Sequence, residues 1–249
     1  TEISDKVISV IMDTMKNNYG NPSSTHSFGR NSKSILELSR KFIADKLKAK
    51  ANEIIFTSGG TESNNMIIKS VVESQNIERI ITTKIEHKAV LNSIESISKT
   101  KKILVEYLDV DNCGNPNIKQ FKNSLEKSNQ LTLVSLMHIN NEIGTIIDLN
   151  EYGKICRSNN ALFHSDTVQT IGHYDLDLSN TTIDFITCSA HKFHGPKGVG
   201  FAYINNETII NPFIEGGSQE RGYRGGTESI HNILGLKTAF EISYESLEK

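Results

Sequence analysis

From residue 53 to residue 164 short apolar runs alternate with amphipathic segments, and no other feature constrains the fold of this chain as much. Residues 53–57 read as a strand and 61–74 as a helix, followed by strand 79–83 and helix 87–98. The alternation continues with strand 102–108, helix 118–127, strand 131–138, helix 149–158 and strand 161–164. Two further strands, 184–189 and 199–204, flank a Gly/Pro turn. Ahead of them all, Ile3, Val7, Ile11 and Met15 recur every four residues and predict a helix over 3–17. Ile35, Leu38, Phe42 and Leu47 mark a second helix. Parallel strands need crossover connections, so this order predicts an α/β domain with a mostly parallel central sheet. Ligands in such sheets sit beyond the carboxyl ends of the strands, which is where the polar motifs of this chain fall.

Charge and composition narrow the partners. The net charge of −2 supplies no basic field for nucleic acid. No apolar run approaches the roughly 18 residues of a membrane span. Cys113, Cys156 and Cys188 have no C-x-x-C spacing, which suggests free thiols and a reducing, cytoplasmic compartment. The first residues are polar and amphipathic and carry no signal-peptide pattern. Residues 232–249 hold Ile233, Leu236, Phe240, Ile242 and Leu247 at helical spacing with no closing cap, so a helix is expected to run on from here.

The segment 189–198, Ser-Ala-His-Lys-Phe-His-Gly-Pro-Lys-Gly, follows the apolar run 183–188. Lys192 thus stands at the end of a buried strand. A lysine kept from bulk water becomes a nucleophilic amine suited to Schiff-base chemistry; the alternative is a plain surface charge or ion pair. In Thr57-Ser58-Gly59-Gly60-Thr61-Glu62-Ser63 two glycines lead into a helix, whose free amides suit a phosphate or simply mark a capped helix start. It is neither a Walker loop nor a dinucleotide fingerprint. Asp166 and Gln169, three apart after a strand, can share one face of a first helical turn. They could hold a protonated ring nitrogen and a neighbouring oxygen, or form a capping-box-like pair. His87 can stack on a planar group and move protons, or serve as an ordinary helix cap. Asn140-Asn141-Glu142-Ile143-Gly144 is a polar turn after a strand. Cys188, His191 and His194 lie three apart, but Cys188 faces the core and no fourth ligand is near in sequence, so no metal site is expected. No G-x-S-x-G supports a hydrolase.

Taken together these segments resemble the cysteine desulfurases of the NifS/IscS-like group, pyridoxal-phosphate enzymes of fold type I in the class V aminotransferase family. The resemblance rests on Phe28-Gly29-Arg30 after Gly20-Asn21-Pro22-Ser23, on the Gly59-Gly60 segment, and on Glu86-His87-Lys88-Ala89-Val90. It continues through residues 137–144, 164–169 and 189–192 to the Gly216–Glu228 stretch, in family order along nearly the whole chain.

The resemblance implies a three-layer build of the aspartate aminotransferase type. It also implies that Lys192 carries pyridoxal 5'-phosphate as a Schiff base and that Asp166 pairs with its ring nitrogen. It gives His87 the stacking and proton-moving role and Gln169 the phenolic oxygen, with Asn141 beside it. Gly60, Thr61, Ser189 and His191 would hold the phosphate. Thr227 would reach the phosphate of a neighbouring subunit, making a homodimer part of the site. The implied reaction converts L-cysteine to L-alanine and passes sulfur to a protein thiol for iron–sulfur cluster or thio-cofactor assembly, with an acceptor or scaffold protein as partner. The family's nucleophilic cysteine and its carboxylate-binding arginine are expected beyond residue 249. Residues 1–249 would then be a large cofactor domain cut at both ends and inactive alone, with the helix from residue 232 leading to a small domain. Ser218 stands where a third glycine is common in the family. Another class V enzyme, such as a selenocysteine lyase or an aminotransferase-like member, or a non-catalytic scaffold, remains an alternative.

Overall fold

A computed structural model describes residues 1–247; the last two positions of the helix expected over 232–249 lie outside them. Seven strands form one sheet: β1 (Ile54–Thr57), β2 (Arg79–Thr83), β3 (Leu104–Leu108), β4 (Thr132–Ser135), β5 (Leu162–Asp166), β6 (Phe185–Ser189) and β7 (Gly200–Ile204). Their order across the sheet is β1-β7-β6-β5-β4-β2-β3. Every pairing from β6 to β3 is parallel, whereas β7 runs antiparallel to both β6 and β1. The mostly parallel sheet is as the alternation requires. The reversal of β7 follows from its short connection to β6, since fewer than a dozen residues cannot build a parallel crossover.

Successive strand residues face opposite sides and meet two separate helical layers. Ile54, Phe56, Ile81, Val134 and Phe163 pack with α1 (Asp5–Asn17), α2 (Ser27–Lys46), α5 (Ile118–Glu126), α6 (Leu149–Ser158) and α7 (Ile230–Leu247). Ile55, Ile80, Leu133 and Ala202 pack with α3 (Gly60–Ser74) and α4 (Lys88–Lys101). The result is the expected three-layer α/β/α architecture, with strand ends open at one edge. Burying these strands on both faces explains why they read as continuous apolar runs rather than alternating ones.

Two local expectations change. The strand expected over 131–138 pairs as a ladder only through Ser135. Its backbone stays bonded beyond that point through Leu136 N–H to His164 C=O and His138 N–H to Asp166 C=O, both at 3.1 Å. No helix follows Asp166. The chain instead makes successive turns through His173, because Asp166 Oδ1 accepts the N–H of Val168 at 3.0 Å and Gly172 adopts a φ of +83°. Among the described residues no helix is long and apolar enough to cross a membrane.

Candidate active site

The carboxyl ends of β1, β5 and β6 and the start of α3 border a cleft of about 190 Å³. Gly60, Thr61, His87, Asn141, Asp166, Gln169, Ser189, His191 and Lys192 all line it, as do Asn64, Met137 and Val168. Thr227 does not. It is exposed and borders a neighbouring cavity of about 110 Å³ with Ser58, Gly198 and Arg224.

The floor of the cleft is set by backbone geometry at the β1–α3 turn. Gly59 has a φ of +140°, which a side chain rarely tolerates. At Gly60 a Cβ would lie 2.6 Å from Val168 Cγ2, so glycine keeps the helix start close to the β5 turn. The first amides of α3 have no partner within the helix and point their dipole toward the cleft. Ser58 N–H is taken by Glu62 Oε2 at 2.8 Å, and Glu62 in turn pairs with Arg224 Nε at 2.8 Å. Burial pushes the Glu62 carboxyl up, but Arg224 and Ser58 outweigh it and hold it below its usual range.

Asp166 ends β5 and is buried. Its Oδ2 accepts from Asn64 Nδ2 at 2.7 Å while Oδ1 accepts its own turn N–H. Asn64 Oδ1 is buried without a partner, as are Ser165 Oγ and Thr187 Oγ1. Across the cleft Lys192 closes a single 3-10 turn after β6 and is half-buried. Burial lowers the pKa of His191, and the charge of Lys192 lowers it further. His194 turns away, its Nδ1 hydrogen-bonded to the Glu2 carbonyl at 2.8 Å.

His87 is the N-cap of α4, and its Nδ1 accepts the N–H of Ala89 at 3.1 Å. The capping role is therefore real, and it leaves the ring proton on Nε2. Directly before it, Glu86 is buried. Its Oε1 accepts from Met137 N–H at 3.0 Å and from Thr83 Oγ1 at 3.2 Å, while Oε2 has no partner. Burial pushes this carboxyl up to about 8, and the nearby charge of Asp166 raises it too. Asn140 bonds the Ile85 carbonyl at 2.8 Å, which ties the β4 loop to the His87 turn and sets Asn141 at the rim.

Glu86 and Asn64 escape a reading of the sequence. Glu86 begins the polar tripeptide Glu86-His87-Lys88, which looks solvated, and the partner of Asn64 is 102 residues away. A signal did exist for Asn64: it lies one helical turn beyond Gly60 and so shares its face. Among the described residues no group of three His, Cys, Asp or Glu side chains converges on a possible metal position. Cys156 and Cys188 are buried, and burial raises both thiols well above their usual range, whereas Cys113 is exposed in a turn.

An amine, a buried carboxylate opposite it, a hydroxyl and a helix start fit a planar aldehyde that carries a phosphate and a basic ring nitrogen. Comparison with known proteins agrees. The class V aminotransferase family model matches residues 1–248. The chain is 43% identical to a cysteine desulfurase IscS of Dictyoglomus turgidum, covering 100% of this chain and 63% of that one. It is 40% identical to a mitosomal cysteine desulfurase of Trachipleistophora hominis, covering 57% of that protein. A solved NifS-like protein superposes with a TM-score of 0.94 at 40% identity, over 100% of this chain and 68% of that chain. SspA in complex with cysteine superposes with a TM-score of 0.91 at 32% identity, over 97% of this chain and 70% of that chain. The chain spans about three-fifths of the length of the curated relatives it matches.

Proposed function

Because this chain belongs to the class V aminotransferase family, whose cysteine desulfurases depend on pyridoxal phosphate, we propose that it forms the cofactor-binding part of a cysteine desulfurase. The observation that carries the reading is the convergence of Lys192 and Asp166, from the ends of the adjacent strands β6 and β5, on one cleft that the start of α3 also lines. When bound, the cofactor supplies an electron sink for the charge left when an amino acid loses its α-proton.

The residues of the chain do the rest. Lys192 Nζ would supply the amine that holds the cofactor and the base that takes the substrate α-proton. Asp166 holds the protonated ring nitrogen, and Asn64 orients that carboxylate. Gly60, Thr61, Ser189 and His191 bind the phosphate, with the dipole of α3 behind them. His87 covers the ring and holds a proton on Nε2. Gln169 bonds the ring oxygen, with Asn141 beside it.

The substrate in this reading is L-cysteine and the sulfur goes to a protein thiol, then to an acceptor or iron–sulfur scaffold protein. Neither Cys188 nor Cys156 suits that thiol, since both are buried and their thiolates disfavoured. A homodimer in which Thr227 contacts the partner's phosphate, working in the cytoplasm, completes the proposal. The position of Thr227 outside the Lys192 cleft supports a role in trans.

Borohydride reduction of the cofactor-loaded protein, followed by peptide mapping, tests the assignment. The pyridoxyl label is expected on Lys192; a label on Lys197 or elsewhere refutes it. Asp166→Asn is expected to weaken cofactor binding by about 1.5–3 kcal/mol, the worth of a hydrogen bond to a charged group. Hydrogen exchange at the substrate α-carbon should fall further still, because a neutral amide no longer holds the ring nitrogen protonated. Unchanged exchange would reduce Asp166 to its turn-forming role.

A further inference from the structure

The carbonyl of Lys192 is held from outside its own turn. Within the turn the Ala190 carbonyl accepts from Phe193 N–H at 3.2 Å and Gly195 N–H at 3.0 Å, and Ala190 N–H donates to Val199 at 3.1 Å. None of these bonds reaches the Lys192 carbonyl. Its near partner is His173 Nε2 at 3.0 Å, with the Thr1 hydroxyl a longer second at 3.3 Å. A carbonyl only accepts, so His173 Nε2 carries the hydrogen. Neutral and protonated rings both satisfy that requirement.

His173 ends the run of turns that Asp166 begins, and that run is stiff. Thr167 Oγ1 donates to the Thr187 carbonyl at 2.7 Å, pinning the run to β6. Thr170 and Ile171 N–H groups return to the Thr167 carbonyl at 2.9 and 3.1 Å, and His173 N–H returns to Thr170 at 2.9 Å. Ile171 is fully buried. At Gly172 a Cβ would come within 2.5 Å of Phe193 Cβ, so the run packs directly on the residue after Lys192. One short rigid segment therefore carries the Asp166 carboxylate at one end and grips the Lys192 backbone at the other.

We infer that His173 is a positioning residue for Lys192, its ring fixing the lysine backbone relative to Asp166. Amine and carboxylate are then presented to the cofactor at a set separation, both before and after the amine is displaced. The inference rests on the cofactor roles proposed for Lys192 and Asp166. It asks little of the hydrogen bond itself and much of the geometry, since small misplacements of a reacting group cost far more in rate than in stability.

The test uses the full-length, cofactor-loaded protein with His173→Ala and His173→Gln. The glutamine amide can donate where Nε2 does. Each variant is followed by pH titration of the visible absorbance of the bound cofactor, by kcat and KM for L-cysteine, and by Tm. In His173→Ala the absorbance midpoint should move and kcat should fall about tenfold while KM stays within about twofold. His173→Gln should return both midpoint and kcat toward wild type, and Tm should change little in either. A wild-type midpoint and kcat in His173→Ala overturns the inference. Equal losses in both variants with a lowered Tm also overturn it, because they report packing alone. A borohydride label on a lysine other than Lys192 instead refutes the cofactor assignment, which keeps the two failures distinct.

Discussion

Glu220→Ala is expected to destabilise the protein by about 3–5 kcal/mol, the cost of breaking a buried ion pair from one side. Glu220 and Arg40 are almost wholly enclosed, with side-chain exposures of 1% and 2%. Their contact is bidentate, at 2.7 and 2.9 Å. Glu220 Oε2 also accepts the N–H of Phe56 at 2.7 Å, and Arg40 Nη1 donates to the Ile54 carbonyl at 2.7 Å. The guanidinium lies 4.8 Å from the Phe56 ring centroid. Burial alone would lower the pKa of Arg40, yet Glu220 and Glu37 together offset it and the net direction is up. Removing the carboxylate leaves the Arg40 guanidinium, which does not deprotonate, with the half-exposed Glu37 at 3.3 Å as its remaining carboxylate, and an amide of β1 without its acceptor. The double variant Arg40→Met/Glu220→Ala should recover part of the loss, since no unpaired charge remains. Urea unfolding with a double-mutant cycle measures both. A loss under about 1 kcal/mol in the single variant contradicts the account.

Glu86→Gln is expected to become steadily more stable than wild type as pH rises from 5 to 8. A free glutamate titrates near 4.5, whereas burial lifts Glu86 to about 8. Between those values the folded protein keeps a proton that the unfolded chain releases. Stability from this group is therefore full below the unfolded value, falls as pH rises through the window, and is gone above about 8. Each pH unit costs about 1.4 kcal/mol, so the window spans on the order of 3–5 kcal/mol. Glutamine keeps the oxygen that Met137 and Thr83 bond and places an amide where the protonated oxygen sits. Urea midpoints at several pH values give the difference directly. Curves that stay parallel from pH 5 to 8 would show that Glu86 is ionised in the folded protein.

The layers of the fold were legible because a parallel sheet buries its strands on both faces. Phe185 to Ser189 and Gly200 to Ile204 each read as unbroken strands. The direction of β7 is not written in its composition, since a run buried on both faces looks the same either way round. It is written in the short link from Ser189 to Gly200. Asp and Gln three apart suit a first helical turn after β5, but the left-handed φ at Gly172 and the packing of Phe193 decide otherwise. Most of the candidate site was visible because each motif stands where a strand ends. Glu86 was not, because its hydrogen-bond partner Met137 is 51 residues away, a pairing that no local pattern announces.

The placement of β7 has a consequence for how the chain is made. β1 is synthesised before the other described strands, yet its ladder partner is β7, and more than half of the described residues lie between them. Until β7 is synthesised, β1 has no ladder partner among the described strands, and α3 with its Gly59-Gly60 entry lacks one of the strands it packs on. The opposite ends meet late as well: Gly235 of α7 sits so close to Ile11 of α1 that a Cβ would lie 2.7 Å from Ile11 Cδ1. Such distant pairings close slowly, because the loop entropy is lost before the contacts form. The lysine turn lies between β6 and β7, so the stretch that completes the sheet is the one that delivers Lys192. A nascent chain stopped short of residue 200 holds β1 as an unpaired edge, open to strand pairing with other chains.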